Sequence, residues 1–199
     1  MNVNETMNEA LRNAIESIGS SDPELRMSAA TEIHRQGRAL ADHAVYPWWS
    51  DLELGKLLGA PNPFVTVGLA VQPSRFQHIR EAAGLPRLAD VPPDQDAREF
   101  ELHLPGGLCM DILTSREPEG DGAIARFLRK FGEGIQQVEF RCEDVDRATQ
   151  ILRDKFSMHS VYPETRPGAD GTRVNFYLVA APGAGKVLVE LYQPAPHLD

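Results

Sequence analysis

A pattern of strands and a helix that occurs twice after residue 60 constrains this chain more than any other feature. Apolar runs, several of them alternating with polar residues, predict the strands, and polar segments between them predict the helices. In the first copy we predict a strand at 64–71, a helix at 74–83 and a β-hairpin of strands 98–104 and 108–114. In the second we predict a strand at 135–142, a helix at 143–155, a short strand near Val161 and a hairpin of strands 173–179 and 186–193. This repetition predicts two similar modules, at about 64–117 and 135–195.

The first sixty residues have a different character. Apolar residues at intervals of three and four from Met7 to Ile18 predict an amphipathic helix. Ser21 and Glu24 form a capping box, so we expect a second helix from Asp22 to about His43. An aromatic cluster at 46–49 should end that helix, ahead of a short helix at 51–58 and a linker at 59–63. We therefore expect a helical extension over 1–61 and the main domain over 62–199.

Charge and hydropathy narrow the class of partner. The 20 basic and 29 acidic residues give a net charge of -9, which repels nucleic acid and anionic lipid. No apolar run approaches the roughly 20 residues that span a bilayer, and the polar, acidic N-terminus does not resemble a signal peptide. We expect a cytoplasmic protein whose partner is neither nucleic acid nor a membrane. Cys109 and Cys142 show no disulfide or zinc spacing, so both are expected to be packing residues.

Three segments of the second half carry a family resemblance. The stretches 122–140, 166–176 and 186–191 resemble methylmalonyl-CoA epimerases, members of the vicinal oxygen chelate superfamily. The resemblance extends over about 64–194 and does not include the first sixty residues. It implies an α+β fold in which two βαβββ modules form a half-open barrel around a cavity, here preceded by the helical extension. It also implies a homodimer, for which the helix at 74–83 and the extension offer apolar surface.

Alternation along the strands sorts their side chains between the helices and the implied cavity. Superposing the two hairpins places Phe100 on Val174 and Asp111 on Glu190. Buried polar groups on one face indicate a functional cavity, because each left unpaired costs about 1 to 3 kcal/mol. The alternative is a face simply exposed to solvent. The expected cavity set is Thr66, Gly68, Ala70, Glu99, Glu101, His103, Cys109, Asp111, Leu113, Gln137, Glu139, Arg141, Asn175, Tyr177, Glu190 and Tyr192.

The resemblance implies a metal site with altered ligands. The family's four ligand positions fall on Thr66, Asp111, Gln137 and Glu190, so both histidines of the family are replaced. The remaining oxygen donors suit a hard cation better than zinc, cobalt or nickel. We therefore expect either no cofactor or a weakly bound divalent metal at Asp111, Gln137 and Glu190. His103 could replace a lost ligand or serve as a wall residue that contacts the substrate.

The family's acid/base pair is retained. By resemblance, Glu99 and Glu190 take the positions of the two glutamates that remove and return a proton beside a thioester carbonyl. Two inward carboxylates suit such proton transfer. Without a metal, an enolate would need hydrogen-bond donors, for which we consider Gln137, Arg141, Asn175 and Tyr177. The alternative for the two glutamates is a wall held by ion pairs with nearby arginines.

Two classes of function follow from these residues. The first is an epimerase or isomerase, or a cyclase of the same fold, acting on a carbonyl-bearing small molecule, as expected in specialised metabolism. The second is a metal-free protein that binds or sequesters a small molecule, as resistance proteins of the superfamily do. Retention of both Glu99 and Glu190 favours the enzyme, and loss of both histidines favours the binder.

Overall fold

Three helices precede the first strand. A computed structural model describes residues 3–181 and 185–195. In it, α1 spans Val3–Ser17, α2 Pro23–Ser50 and α3 Leu52–Leu57. None of the helices in these described residues is both long and apolar enough to cross a membrane.

The aromatic cluster continues α2 instead of ending it near His43, so that expectation is wrong. Pro47 lies inside the helix. Trp48 packs edge-on against Tyr177, with ring centroids 5.9 Å apart, and Trp49 packs against Phe140 at 5.1 Å. Packing of these two indole rings against strands offsets the loss of the backbone hydrogen bond that the proline removes.

The residue contacts divide the chain into two units. The first comprises residues up to Arg38 with Thr66–Gln136, and the second comprises Ala39–Val65 with the residues from Gln137 onward. Both units draw on the helical extension, because α2 contributes to each. The division of the chain at 61 and 62 into extension and main domain stays a prediction.

The first unit contains the first module. Its elements are β1 (Val65–Ala70), α4 (Pro73–Ala82), β2 (Arg98–Leu104), β3 (Leu108–Thr114) and α5 (Ala123–Phe131). Strand β3 pairs antiparallel with β2 and parallel with β1. The core of this unit forms between α1, α2 and α4 and the face of the strands opposite to the expected cavity residues. The strand residues of the core include Val67, Leu69, Phe100, Met110 and Ile112. Helix α2 lies close to β1 at Gly37, where an added Cβ would come within 2.6 Å of the Val67 side chain.

The second unit contains the second module. Its elements are β4 (Gly134–Arg141), α6 (Val145–Phe156), β5 (Arg166–Pro167), β6 (Arg173–Ala181) and β7 (Gly185–Gln193). Strand β7 pairs parallel with β4 and antiparallel with β6, which also pairs with β5. Near Val161 there is only an isolated bridge from Ser160 to Tyr177, and the short strand is β5 instead. The residues 182–184 of the expected hairpin turn lie outside the described residues.

The strand registers show which positions of the two modules are equivalent. Asp111 lies between Gly68 and Glu101 in the first unit, and Glu190 lies between Glu139 and Phe176 in the second. Asp111 and Glu190 are therefore equivalent, as the sequence superposition expects. Thr66 lies two residues before Gly68 on β1, and Gln137 lies two residues before Glu139 on β4. Thr66 and Gln137 are therefore also equivalent.

The rest of that superposition is wrong by one residue. Phe100 pairs with Ile112, the residue after Asp111, whereas Asn175 pairs with Leu191, the residue after Glu190. Phe100 is therefore equivalent to Asn175 and not to Val174. Because side chains alternate along a strand, this slip reverses the expected face of every residue on β6.

The fold class agrees with expectation. The chain is α+β, with two modules of strand, helix and hairpin after an N-terminal helical extension. The second module has the additional short strand β5, giving the order βαβββ, while the described residues between α4 and β2 contain no strand.

Candidate functional site

Three polar side chains of the second unit form a buried cluster. Gln137 Nε2 donates hydrogen bonds to Glu139 Oε1 at 3.0 Å and to Glu190 Oε2 at 2.8 Å. The exposed fractions of Gln137, Glu139 and Glu190 are only 9%, 5% and 8%. A single amide group thus joins two buried carboxylates, and we call these three residues the carboxylate clamp.

The alternation of β4 and its pairing with β7 produce this cluster. Gln137 and Glu139 lie two residues apart on β4, hence on one face, and Glu139 is directly opposite Glu190. Their apolar neighbours Val138 and Phe140 point to the other face and are fully buried. Arg141 follows on the clamp's face, is paired with Tyr192, and is exposed. The sequence therefore places two carboxylates, an amide and a guanidinium side by side.

The clamp has the chemistry of a proton-transfer site. Two adjacent carboxylates repel each other when both are ionised, and burial further disfavours their charge. The amide N–H of Gln137 counters both effects without transferring a proton itself. Such an environment holds a carboxylate at a fixed position where it can act as an acid or base.

The polar residues of the first unit lie on one face of β2 and β3. Asp111 is 8% exposed, whereas Glu99 is only half-buried. Glu101 and His103 are exposed, and His103 Nε2 lies 2.7 Å from Glu101 Oε2. The other ring nitrogen of His103, Nδ1, lies 3.5 Å from the Sγ of the buried Cys109. The strand registers thus bear out the expected face for these residues of the first unit.

Asn175 and Tyr177 lie on the opposite face from Glu190, contrary to expectation. The Asn175 amide donates to Thr149 Oγ1 of α6 at 3.2 Å, and the Tyr177 hydroxyl donates to the same atom at 2.9 Å. Both residues are fully buried. Burial raises the pKa of Tyr177 to about 12. The one-residue slip on β6 explains the error, so these two side chains anchor α6 and do not face the same side as the clamp.

The two cysteines have different surroundings. Cys142 is buried at the end of β4, where desolvation raises the pKa of its thiol to about 12. It therefore remains a neutral thiol, as expected of a packing residue. Cys109 is also buried, but it contacts a histidine ring nitrogen, which its expected role in packing does not explain.

The residues at the family's metal positions do not fit a transition metal. Thr66 and Gln137 supply no imidazole nitrogen, the ligand that zinc, cobalt and nickel favour. Gln137 also directs its N–H group, and not its carbonyl oxygen, at Glu190. The N–H group therefore occupies one of the positions from which a cation would approach that carboxylate. These residues do not provide a site for zinc, cobalt or nickel.

Comparisons with known proteins identify the family to which this fold belongs. A methylmalonyl-CoA epimerase from Mycobacterium tuberculosis shares 32% sequence identity and a TM-score of 0.54, with 66% of this chain and 87% of that chain covered. This chain belongs to the vicinal oxygen chelate superfamily. No protein-family model matches it, and no curated protein matches it significantly.

Two further structures connect this vicinal oxygen chelate fold with thioester ligands. A methylmalonyl-CoA epimerase in complex with methylmalonyl-CoA and NH4+ is 26% identical, with a TM-score of 0.50 over 66% of this chain and 93% of that chain. A variant of the Streptomyces coelicolor epimerase in complex with 2-nitronate-propionyl-CoA is 25% identical, with a TM-score of 0.51 over 67% and 98%. The protein thus has an epimerase-type vicinal oxygen chelate fold.

Sequence reasoning found the residues of the clamp but not their connection. It placed Gln137, Glu139 and Glu190 on one face, yet gave Glu139 no role. The direct pairing of Glu139 with Glu190 depends on the register between β4 and β7, which are some fifty residues apart in sequence. The available signal was the run from Gln137 to Arg141, in which polar residues occupy every second position.

Proposed function

We propose that this protein is an isomerase of the epimerase type, which transfers a proton at a carbon beside a carbonyl group. The carboxylate clamp carries the proposal. A protein that only binds a ligand has no need to bury two carboxylates on one amide, because desolvating such groups is costly. An enzyme that moves protons uses them as acids and bases.

Glu190 is the proposed base or acid of the second unit. Its carboxylate takes the proton from the carbon, and the electron pair of the broken C–H bond moves onto the carbonyl to form an enolate. Arg141, on the same face of the sheet, donates hydrogen bonds to the enolate oxygen. Gln137 acts as a positioning residue, because it fixes the orientation of the Glu190 carboxylate through its N–H group.

Glu99 is the proposed second acid/base group. In its carboxylic acid form it returns a proton to the carbon, which inverts the configuration when the proton arrives on the other face. After a turnover Glu190 is protonated and Glu99 is ionised, and proton exchange of both groups with water restores the starting state. In the reverse reaction the two groups exchange roles. Support comes from the half-buried state of Glu99 on the polar face of β2. A substrate contact for His103 also stays a prediction.

The proposed substrate class is an acyl thioester with an acidic α-carbon. Support comes from the thioesters held by the similar epimerase structures. Methylmalonyl-CoA is therefore the first compound to test. A different carbonyl compound, a cyclisation, a place in specialised metabolism, a homodimer and a cytoplasmic location stay predictions from the sequence.

The decisive experiment follows deuterium from solvent into methylmalonyl-CoA. The wild type is expected to incorporate deuterium at the α-carbon, and Glu99→Gln and Glu190→Gln should each lose about 10² to 10⁴ in turnover. One of the two variants is expected to exchange the proton on one face without completing epimerisation. Glu143→Gln, which changes an exposed carboxylate just after β4, is the matched control and should keep wild-type turnover.

Wild-type turnover in both variants, or exchange that persists in the double variant, would remove the two carboxylates from the mechanism. If wild type exchanges no proton in methylmalonyl-CoA, the same measurement is repeated on acyl thioesters and free acids of other chain lengths. Absence of exchange in all of them contradicts the isomerase.

A metal-free binding protein is the second candidate. The amide of Gln137 directed at Glu190 favours it, because the clamp is satisfied internally and leaves no metal position to polarise a carbonyl. For this function, Glu190→Gln would alter ligand affinity and no variant would show isotope exchange. Calorimetry on the same ligands therefore separates the two functions.

A further inference from the structure

Three side chains of the first unit that transfer no proton in the proposed reaction come together on the β2–β3 hairpin. The ligand atoms of Glu101, His103 and Cys109 all lie within 4.8 Å of one another. His103 and Cys109 are directly opposite each other in the antiparallel pair, and Glu101 is two residues before His103 on the same face. The strand register thus brings a carboxylate, an imidazole and a thiol to one point.

The fold does not require polar residues at these positions. By the registers, Phe176, Leu178 and Leu188 of the second unit are equivalent to Glu101, His103 and Cys109. The second module builds the same hairpin with three apolar side chains. The combination in the first unit is therefore a property of these three residues and not of the strand pattern.

The distances suit a tetrahedral metal. Zinc bound to a thiolate at about 2.3 Å and to an imidazole at about 2.0 to 2.1 Å holds the two ligand atoms roughly 3.5 Å apart. His103 Nδ1 and Cys109 Sγ are already 3.5 Å apart. Glu101 is exposed, and its Oε2 lies 2.7 Å from the other ring nitrogen, Nε2, so a change of side-chain rotamer brings its carboxylate to the ion held at Nδ1.

We infer that Glu101, His103 and Cys109 form a binding site for a zinc-type divalent cation. Thiolate and imidazole are the ligands that select zinc and its neighbours over magnesium or calcium. Three protein ligands leave a fourth coordination position for water or for a ligand. The residues differ from Thr66, Asp111, Gln137 and Glu190, so the site is separate from the family's metal position, where we still expect no tight zinc.

The test is a metal titration of the full chain after treatment with a chelator. We expect one equivalent of zinc to bind to the wild type, and cobalt to bind with a thiolate-to-cobalt charge-transfer band. Cys109→Ser and His103→Gln should each weaken zinc binding by about 100-fold or more, and Glu101→Gln by about tenfold. Cys109→Ser should also lose the charge-transfer band.

Cys142→Ala is the matched control. It removes the other buried thiol, which burial keeps protonated and therefore unable to bind metal readily, and it should bind zinc and cobalt as the wild type does. Circular dichroism of each variant confirms that it is folded. Asn175→Ala, in the second unit, serves as a further folded reference.

Three results would overturn the inference. The first is that the wild type binds no stoichiometric zinc. The second is that folded Cys109→Ser binds zinc as tightly as the wild type. The third is that Gln137→Leu loses zinc binding while the variants of Glu101, His103 and Cys109 keep it. The last would place the metal at the family's position. The readout is metal stoichiometry and a cobalt spectrum, so it is independent of any enzymatic activity.

Discussion

The two hairpins of this protein have the same strand pairing and different side chains at equivalent positions. In β2 and β3, the exposed Glu101 pairs with Asp111, and the exposed His103 pairs with Cys109. In β6 and β7, the residues beside Glu190 are apolar, and Glu190 is instead joined to β4 through Gln137.

This difference shows that the strand framework determines where side chains lie but not which chemical groups they carry. On β1 the position opposite Asp111 is Gly68, whereas on β4 the position opposite Glu190 is Glu139. Asp111 therefore has no carboxylate on β1 to share a donor with, and its module can form no equivalent clamp. The two modules have similar strand frames, and different residues at equivalent positions, such as Gly68 and Glu139, give each its own chemistry.

Removing the clamp's donor should produce the largest effect on stability. Gln137→Leu leaves Glu139 and Glu190 without the N–H group that they share, and should lower the free energy of unfolding by about 3 kcal/mol. Placing an amide two residues further along β4, in Gln137→Leu/Glu139→Gln, should recover much of the loss. Denaturant unfolding at neutral pH measures both.

The equivalent change in the first unit provides the control. Thr66→Val removes one hydroxyl opposite Cys109, where no carboxylate pair exists on β1, and should cost about 1 kcal/mol or less. If Gln137→Leu costs no more than Thr66→Val, the two modules do not differ in the way that the clamp requires.

A smaller loss should follow from removing Asn175. This side chain is fully buried and donates to Thr149 of α6, so Asn175→Ala should lower the free energy of unfolding by about 2 kcal/mol. Turnover per folded molecule should not change, because the residue faces α6 and not the clamp. Reduced turnover at unchanged stability would instead return Asn175 to the substrate side.

The smallest effect concerns alkaline pH. The pKa values of Tyr177 and Cys142 are raised by burial, each to about 12. The neutral forms are thus favoured in the folded state. The stability that they contribute is complete below the unfolded pKa values, about 10 for Tyr177 and about 9 for Cys142, and is lost as pH rises towards 12.

Tyr177→Phe sharpens this prediction. It should cost about 1 kcal/mol at neutral pH, because the hydrogen bond to Thr149 is lost. Above about pH 10 its stability should fall less steeply than that of the wild type, since phenylalanine cannot ionise. Urea unfolding across the alkaline range provides the slopes, and parallel slopes would show that Tyr177 does not titrate in this way.

Local patterns predicted most elements and failed where packing decided. The repeated modules, the helices and the polar faces of β1 to β4 follow from periodicity, which depends only on neighbouring residues. The end of α2 does not, because Trp48 and Trp49 extend the helix past Pro47 by packing against distant strands. The predicted faces of β6 were wrong because they came from a superposition of the two hairpins that was shifted by one residue.

By itself, the sequence determined the modular architecture and which residue types line β4 and β7. It also determined that no imidazole is available at Thr66 or Gln137. Only the tertiary structure decided that one amide of Gln137 joins two buried carboxylates and that His103 meets Cys109. Those contacts depend on strand register, and register is set by the packing of whole faces rather than by the residues that meet.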